Sequence, residues 1–156
     1  MNKIAAITVF FPGVEKYLRK FLESLNNQTE KNFDLIVIND KYGNLEKIQK
    51  RFPCLSIIDV PYSSTISKNK EFGIRYAKNA GYEFLVFCDS DDYFSHNRVK
   101  KSVDFLKSGY DIVCNDISLF EKESIYKNKY FSNHLENKTN IDLSFLEDKN
   151  IMGFTN

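Results

Sequence analysis

The sequence contains no tryptophan, little glycine or proline and almost no excess of either charge. Its 156 residues include 6 Gly, 3 Pro and 3 Cys, and 22 Lys and Arg stand against 21 Asp and Glu, for a net charge of +1. A chain that is 42% hydrophobic and 28% charged has the composition of a globular domain and not of a disordered or collagen-like one. The charge balance provides no attraction to nucleic acid or anionic lipid, so we expect no nucleic-acid partner.

Export and membrane signals are also lacking. No apolar run approaches the roughly 20 residues that span a bilayer, and the N-terminal segment has no small-residue cleavage site of a signal peptide. The three cysteines, Cys54, Cys88 and Cys114, lie in or beside β-like runs and lack the paired spacing of a zinc site. We therefore expect the three thiols to be free and buried. The expected location of the protein is the reducing cytoplasm, including the inner face of the membrane.

Strand-like and helix-like segments alternate along the first 115 residues. Continuous β-branched and aromatic runs predict strands at 4–11, 33–38, 55–60, 84–88 and from 111 to 115. Helical spacing of apolar residues predicts helices at 14–25, 44–51, 67–80 and from a cap at Ser95 or Asn97 to about 106. This alternation predicts an α/β fold, a mostly parallel sheet with helices on both faces. After residue 121 the pattern weakens, and one short amphipathic helix is predicted at 141–146.

The strongest chemical signal follows the fourth predicted strand. The carboxyl ends of parallel strands meet at the edge of the sheet where ligands of open α/β folds bind. At this edge stands the run Asp89-Ser90-Asp91-Asp92, whose three carboxylates repel one another unless a cation lies among them. Hard oxygen ligands of this kind suit Mg²⁺ or Mn²⁺, completed by a diphosphate. The plainer interpretation is a solvated acidic loop that caps the next helix.

Other nucleotide and metal motifs fit the sequence less well. No G-x-G-x-x-G follows the first strand, and no Walker-type loop occurs. An EF-hand would need Gly and Glu where Phe94 and Lys100 stand. A phosphatase of the haloacid dehalogenase type opens with its nucleophilic Asp, whereas 88 residues precede Asp89 here.

Four segments occur in order along the sequence, and together they are more specific for a protein family than any one of them alone. They are a buried first strand, then EKYLRKFLESLNNQT, then FDLIVINDKYGN, and finally EFGIRYAKNAGYEFLVFCDSDDYF. In this order the chain resembles the family 2 nucleotide-sugar glycosyltransferases of GT-A fold, from Ile7 to about Phe120. The resemblance implies a nucleotide-sugar-binding GT-A core at residues 1–120, followed at 121–156 by the start of an acceptor-side region that is incomplete.

The resemblance also implies roles for individual residues. Asp40 matches the acidic residue that pairs with the edge of uracil or another base. Lys70 stands where the family usually has an Arg facing the diphosphate, although a solvated Lys at a helix start is an equal interpretation. Asp89 and Asp91 match the DxD pair that holds the ribose and the metal, unless Asp92 is the metal ligand instead. The implied nucleotide-binding residues are Phe10, Pro12, Asp40, Lys70, Asp89 and Ser90, and the implied ligands of Mn²⁺ or Mg²⁺ are Asp89, Asp91 and Asp92.

Several positions depart from the family pattern. Phe10 and Pro12 replace the Pro or Thr and the Tyr that are common in the loop after the first strand, and Gly13 replaces an Asn. Asn39 replaces the first Asp of a pair, and Glu71 stands where Asn is usual. We therefore expect a nucleotide pocket that is recognisable but individual.

The resemblance implies the transfer of a hexosyl group from a nucleoside diphosphate sugar to a glycan or lipid-linked acceptor. The implied donor is a UDP-sugar first of all, and the implied transfer is metal-dependent and inverts the configuration of the sugar. The catalytic residue is not identified, because the family's general base would fall beyond Asn156. Glu147 and Asp148 are better explained as residues of a solvated helix face than as a general base. We expect the chain as given to bind donor without transferring sugar. A non-catalytic nucleotide-sugar-binding module is the alternative, and peripheral membrane association would come from regions outside the sequence.

Overall fold

The computed structural model describes residues 3–121 and 124–132, and the chain divides into two compact units, Met1–Asp111 and Ile112–Asn156. The predicted helix at 141–146, together with Glu147 and Asp148, lies outside the described residues. In the described part, no helix is both long and apolar enough to cross a membrane.

The first unit is built around a parallel sheet of four strands in the order β3-β2-β1-β4. Its strands are β1 (Ile4–Phe10), β2 (Asp34–Asn39), β3 (Ser56–Pro61) and β4 (Phe84–Phe87). Its helices are α1 (Glu15–Asn26), α2 (Leu45–Arg51), α3 (Ile66–Asn79) and α4 (Arg98–Lys107). The predicted α/β fold with a mostly parallel sheet is confirmed, and the bounds of these elements differ from the sequence prediction by only a few residues.

Both faces of the sheet are buried, as the continuous apolar runs predict. Apolar residues of α1, α2 and α4 pack against one face in a single cluster with β1, β2 and β4. Helix α3 covers the opposite face, where Ala77 packs with Ile7 and Ile38. The central strands β1 and β2 therefore lie between two apolar layers, and the carboxyl ends of the strands are left at one edge.

The start of α4 is capped from a distance. Asn97 occupies the N-cap position, one of the two predicted, but its side chain makes no capping hydrogen bond. Instead the buried Gln28, just after α1, accepts a hydrogen bond from the backbone N–H of Val99 at 3.0 Å through its side-chain oxygen. Its amide nitrogen donates to the carbonyl of Ser95 at 2.8 Å. The partner lies about 70 positions away in sequence, which explains why local pattern could not find it.

Gly73 lets α3 approach the sheet closely. A Cβ added there would lie 2.9 Å from Cγ2 of Ile7 and 3.2 Å from Cγ1 of Ile38. We expect Gly73→Ala to lower the free energy of unfolding by about 1–3 kcal/mol, because overpacking outweighs the better helix propensity of Ala. Urea unfolding measures the change, with the exposed Lys78→Ala on the same helix as the control. Unchanged stability would mean that the two isoleucines can move aside.

The cysteines are less buried than the sequence predicts. All three are free, but Cys54 and Cys114 are exposed, and only Cys88 is buried. Cys88 follows β4, and its thiol donates to the carbonyl of Ile7 at 3.2 Å. Burial raises the pKa of this thiol to about 12. Cys54 lies in the turn after α2 and Cys114 in an irregular segment, so neither is enclosed by the sheet.

This difference predicts a simple pattern of thiol reactivity. We expect a thiol reagent at pH 8 to label Cys54 and Cys114 in the native protein, with Cys114 the slower because partial burial raises its pKa. Cys88 should react only after unfolding. The count of labelled thiols per chain, before and after adding denaturant, measures this. Labelling of Cys88 in the native state at the rate of Cys54 would contradict the packing of β4.

The predicted strand at 111–115 is wrong, because residues 112–118 form no strand. The second unit instead contains a short antiparallel hairpin of β5 (Leu119–Glu121) and β6 (Ser124–Lys127). Before it, the Asp116 carboxylate accepts hydrogen bonds from the backbone N–H groups of Ile117 and Phe131 at 2.8 Å. A side chain that collects backbone donors in this way stabilises an irregular segment in place of a strand.

Candidate functional site

The polar residues singled out in the sequence lie at the carboxyl edge of the parallel sheet. Asp40 directly follows β2, and its backbone N–H donates to the carbonyl of Phe10, at the end of β1, at 2.8 Å. Asp89 follows β4 by two positions, after Cys88, whose backbone N–H donates to the carbonyl of Ile7 at 3.1 Å. Because β1 lies between β2 and β4, the two acidic residues flank the end of the central strand.

The first turns of α3 reach both of these carboxylates. Asn69 donates through Nδ2 to Oδ2 of Asp40 at 3.2 Å. The next residue, Lys70, places its Nζ 3.0 Å from Oδ1 of Asp89, in an ion pair whose two side chains are 28% and 21% exposed. Two consecutive residues of one helix therefore hold carboxylates from two different strand ends. Lys70 and Asp89, which the sequence analysis placed together at a diphosphate site, are neighbours in the structure.

The acidic run forms a tight turn with one buried member. The backbone N–H of Asp92 donates to the carbonyl of Asp89 at 3.2 Å, and Ser90 is buried while Asp91 is exposed. Desolvation by the surrounding chain raises the pKa of Asp92, and the nearby carboxylates of Asp91 and Asp89 raise it further. The carboxylates of this run are therefore close enough to repel one another, as the sequence indicates.

A second cation, Arg98, lies near the same turn. Its guanidinium lies 4.1 Å from the ring centre of Phe94 and donates to the carbonyl of Phe87 at 3.2 Å. Burial lowers the pKa of Arg98, whereas the charges of Asp92 and Asp89 oppose that shift. The turn of Asp89 to Asp92 thus has two cationic neighbours, one from α3 and one from α4.

Arg98 and Asn69 were both missed by the sequence analysis. A signal for Arg98 exists in the sequence. A cation at the first position of a helix is repelled by the positive end of the helix dipole unless an anion compensates it. No comparable signal marks Asn69, since its contact with Asp40 joins residues 29 positions apart.

In the loop after β1, Phe11 is exposed, whereas the preceding Phe10 is not. The ring of Phe10 is fully buried and packs edge-on against Phe21 and Tyr42, with centroids 6.1 and 5.6 Å away. Pro12 is exposed, and Gly13 adopts a φ of +97°, which favours glycine. Of the two predicted nucleotide-binding residues here, Pro12 is exposed, whereas the side chain of Phe10 is not accessible to a ligand.

The oxygen donors at this edge suit a divalent cation only in part. Within the described ranges, no three His, Cys, Asp or Glu side chains converge as a ready metal site. One oxygen of Asp89 already faces the ammonium of Lys70. Asp89, Asp91 and Asp92 therefore fit Mg²⁺ or Mn²⁺ only if further oxygens, such as those of a diphosphate, complete the coordination.

The sequence profile of glycosyl transferase family 2 matches residues 6–155. The chain belongs to this family. It is 31% identical over 101 residues to glycosyltransferase GlyA of Streptococcus pneumoniae, a match that covers 60% of the chain and 14% of GlyA. Its family 2 identity confirms the resemblance seen in the order of the four sequence segments.

Solved structures of other glycosyltransferases share the fold of this family 2 chain. TarS of Staphylococcus aureus superposes with a TM-score of 0.55 in its complexes with UDP and with UDP-GlcNAc, at 26% and 25% identity. Each of these two superpositions covers 68% of the chain, and they cover 32% and 31% of TarS 1–349. The mannosyltransferase PcManGT of Pyrobaculum calidifontis, in complex with GDP-Man and Mn²⁺, superposes with a TM-score of 0.55 at 14% identity, over 77% of the chain and 36% of PcManGT. The predicted GT-A fold is confirmed by these neighbours.

The chain spans only part of its relatives. It covers 14–43% of the length of five curated glycosyltransferases that it matches. The family and the fold are therefore established for this chain, whereas the activity of a whole enzyme is only proposed below.

Proposed function

We propose that this chain is the donor-binding part of a glycosyltransferase that takes a sugar from a nucleoside diphosphate, UDP foremost, and transfers it to a glycan or lipid-linked acceptor. The observation that carries the proposal is the pairing of Asp40 and Asp89 with Asn69 and Lys70 at the carboxyl edge of the sheet. Family 2 membership and the UDP complexes of TarS support the choice of donor.

In this proposal Asp40 recognises the base. One of its oxygens accepts from Asn69, which leaves the other to accept a ring N–H from a ligand. Uracil presents an N–H donor at the ring nitrogen where cytosine presents an acceptor. A carboxylate at this point therefore favours UDP over CDP.

Lys70 and the acidic turn act on the diphosphate. The ammonium of Lys70 lies at the edge of the sheet and can interact with phosphate oxygens as well as with Asp89. Asp89, Asp91 and Asp92 would hold Mn²⁺ or Mg²⁺ jointly with those oxygens. When bound, the cation would supply positive charge that stabilises the leaving diphosphate.

The transfer step needs an acceptor hydroxyl that attacks the anomeric carbon from the side opposite the diphosphate, which inverts the configuration. A general base must lie within hydrogen-bond reach of that hydroxyl. No residue of the described ranges is assigned this role, and Glu147 and Asp148 lie outside them. Labelled UDP-sugars with glycan acceptors test transfer: we expect this chain to bind donor without forming product, and efficient transfer by it would point to Glu147 or Asp148 as the base.

Calorimetry of the purified chain tests the donor proposal. UDP, CDP and GDP are titrated in Mn²⁺ and again in excess chelator. We expect UDP to bind most tightly, and more tightly in Mn²⁺ than in chelator, because the acidic turn completes a metal site only together with phosphate oxygens. Equal affinity for UDP in both buffers would remove the metal from the proposal, and no binding of any nucleotide would overturn the proposal itself.

Replacing Asp40 by Ala tests the assignment of the base site. We expect Asp40→Ala to lose its preference for UDP over CDP by about 1–3 kcal/mol, the range for a polar group left without its partner. The exposed Asp59→Ala on β3 is the matched control and should keep the preference. A retained preference in Asp40→Ala would show that Asp40 only stabilises the turn after β2.

A further inference from the structure

The side chain of Asn69 is buried and only half satisfied. It is 1% exposed, and its Oδ1 has no hydrogen-bond partner. Its Nδ2 donates to Oδ2 of Asp40 at 3.2 Å and to the carbonyl of Ser64 at 3.4 Å. Both neighbours of Nδ2 are acceptors, so turning the amide over would place oxygen against oxygen. The orientation of the amide is therefore fixed by its surroundings.

A buried acceptor without a donor costs the desolvation of that atom, and such atoms in folded proteins call for an explanation. A smaller or apolar side chain at position 69 would avoid this cost. What only the amide provides is the donation from Nδ2. The feature to explain is thus the bond from Asn69 to Asp40.

We propose that Asn69 is a positioning residue that sets the base preference of the nucleotide site by fixing the carboxylate of Asp40, an inference that rests on the proposed function. The backbone of Asp40 is already held by Phe10, but that contact leaves the side chain able to rotate. The bond from Asn69 removes this rotation and directs the second carboxylate oxygen to one place. Asn69 itself is too deeply buried to contact the nucleotide.

The amide also suits this task by its charge. A neutral donor orients the Asp40 carboxylate and leaves its negative charge available to a ligand, whereas a cation would neutralise it. The next residue, Lys70, provides the opposite arrangement and pairs Asp89 with a full positive charge. The start of α3 therefore keeps one carboxylate anionic and compensates the other.

The same amide ties the loop after β3 to the end of β2. Ser64 precedes the N-cap residue Thr65, whose carbonyl accepts from the backbone N–H of Asn69 at 2.9 Å. Asn69 therefore holds Asp40, the loop and the first turn of α3 together. Its removal frees the Asp40 side chain to occupy more than one rotamer, which weakens discrimination between bases.

The test measures the ratio of UDP to CDP affinity by calorimetry, using the full 156-residue chain in Mn²⁺. We expect Asn69→Ala and Asn69→Leu to lower this ratio about tenfold, the effect of one oriented polar contact. Leu fills the site if Ala destabilises the fold, and melting temperature reports on folding. Inorganic pyrophosphate, which has no base, should bind all variants equally. Asn79→Ala, at the exposed end of α3, is the control and should keep the ratio.

A double mutant distinguishes positioning from a general structural effect. If Asn69 acts through Asp40, Asp40→Ala combined with Asn69→Ala should have the same ratio as Asp40→Ala alone. An unchanged ratio in both Asn69 variants, an additive double mutant, or equal losses for UDP, CDP and pyrophosphate would overturn the inference. A wild-type chain that binds UDP and CDP equally would also overturn it while leaving nucleotide binding in place. A wild-type chain that binds no nucleotide would overturn the proposed function as well.

Discussion

Replacing Asp91 by Ala is expected to abolish the dependence of UDP binding on Mn²⁺ without unfolding the protein. Asp91 is exposed in the acidic turn and contributes nothing to the apolar core, so the melting temperature should not change. Loss of one carboxylate ligand should remove the metal-dependent gain in UDP affinity, about 10- to 100-fold by analogy with losses at other metal sites. Titration of UDP into the variant, with Mn²⁺ and with chelator, measures the gain.

The control for this prediction is Asp104→Ala, which removes an exposed carboxylate from α4 that pairs with Lys100 on the same helix. It should retain the full metal-dependent gain. If Asp91→Ala also retains it, the cation is held by Asp89 and Asp92 with the phosphates, and Asp91 is a solvated residue of the turn.

Replacing Lys70 by Met is expected to weaken UDP binding about 10- to 100-fold, the range for charge-assisted hydrogen bonds to an anion. The same variant should bind Mn²⁺ more tightly than the wild type in the absence of nucleotide. The ammonium of Lys70 lies 3.0 Å from Asp89, where it competes with any other cation for that carboxylate. Calorimetry with UDP and electron paramagnetic resonance with Mn²⁺ alone measure the two effects.

Two variants sharpen the Lys70 prediction. Lys70→Arg keeps the charge and adds a planar fork suited to phosphate, so its UDP affinity should stay near that of the wild type. Lys68→Met removes an exposed lysine two positions away on α3 and should change neither measurement. If Lys70→Met binds UDP as the wild type does, Lys70 is only a counter-ion of the acidic turn.

The sheet and its helices could be predicted from the sequence because their signals are local. The buried run before Asp89 and the helical spacing before Asn27 each report on a single element. The prediction failed at 111–115, where the run was short and the nearby Asp116 binds backbone N–H groups instead of allowing a strand. The bond from Phe131 to Asp116 joins residues 15 positions apart, which a local pattern does not report.

The candidate site was predicted in part for a related reason. Asp89 was found because its acidic run follows a predicted strand, and Asp40 and Lys70 were found because the family resemblance marks them. The structure brings Lys70 and Asp89 together. Asn69 contacts Asp40 across 29 positions that no local pattern covers, whereas Arg98 is close in sequence to the acidic run and was marked by its place at the start of α4. The aromatic Phe10 was expected at the nucleotide, but its ring fills the core between α1 and the turn after β2.

The central claim is that a nucleoside diphosphate binds at the carboxyl edge of the sheet, between the end of β2 and the acidic turn after β4. A ¹⁵N-resolved NMR titration of the chain with UDP and Mg²⁺ tests it most directly. We predict that the amide signals that shift are those of the residues around Asp40, the first turns of α3 with Asn69 and Lys70, and the turn from Asp89 to Asp92. Signals at the opposite edge, such as those around Gly81, should not move. Shifts confined to that opposite edge, or no shifts at saturating UDP, would contradict the account.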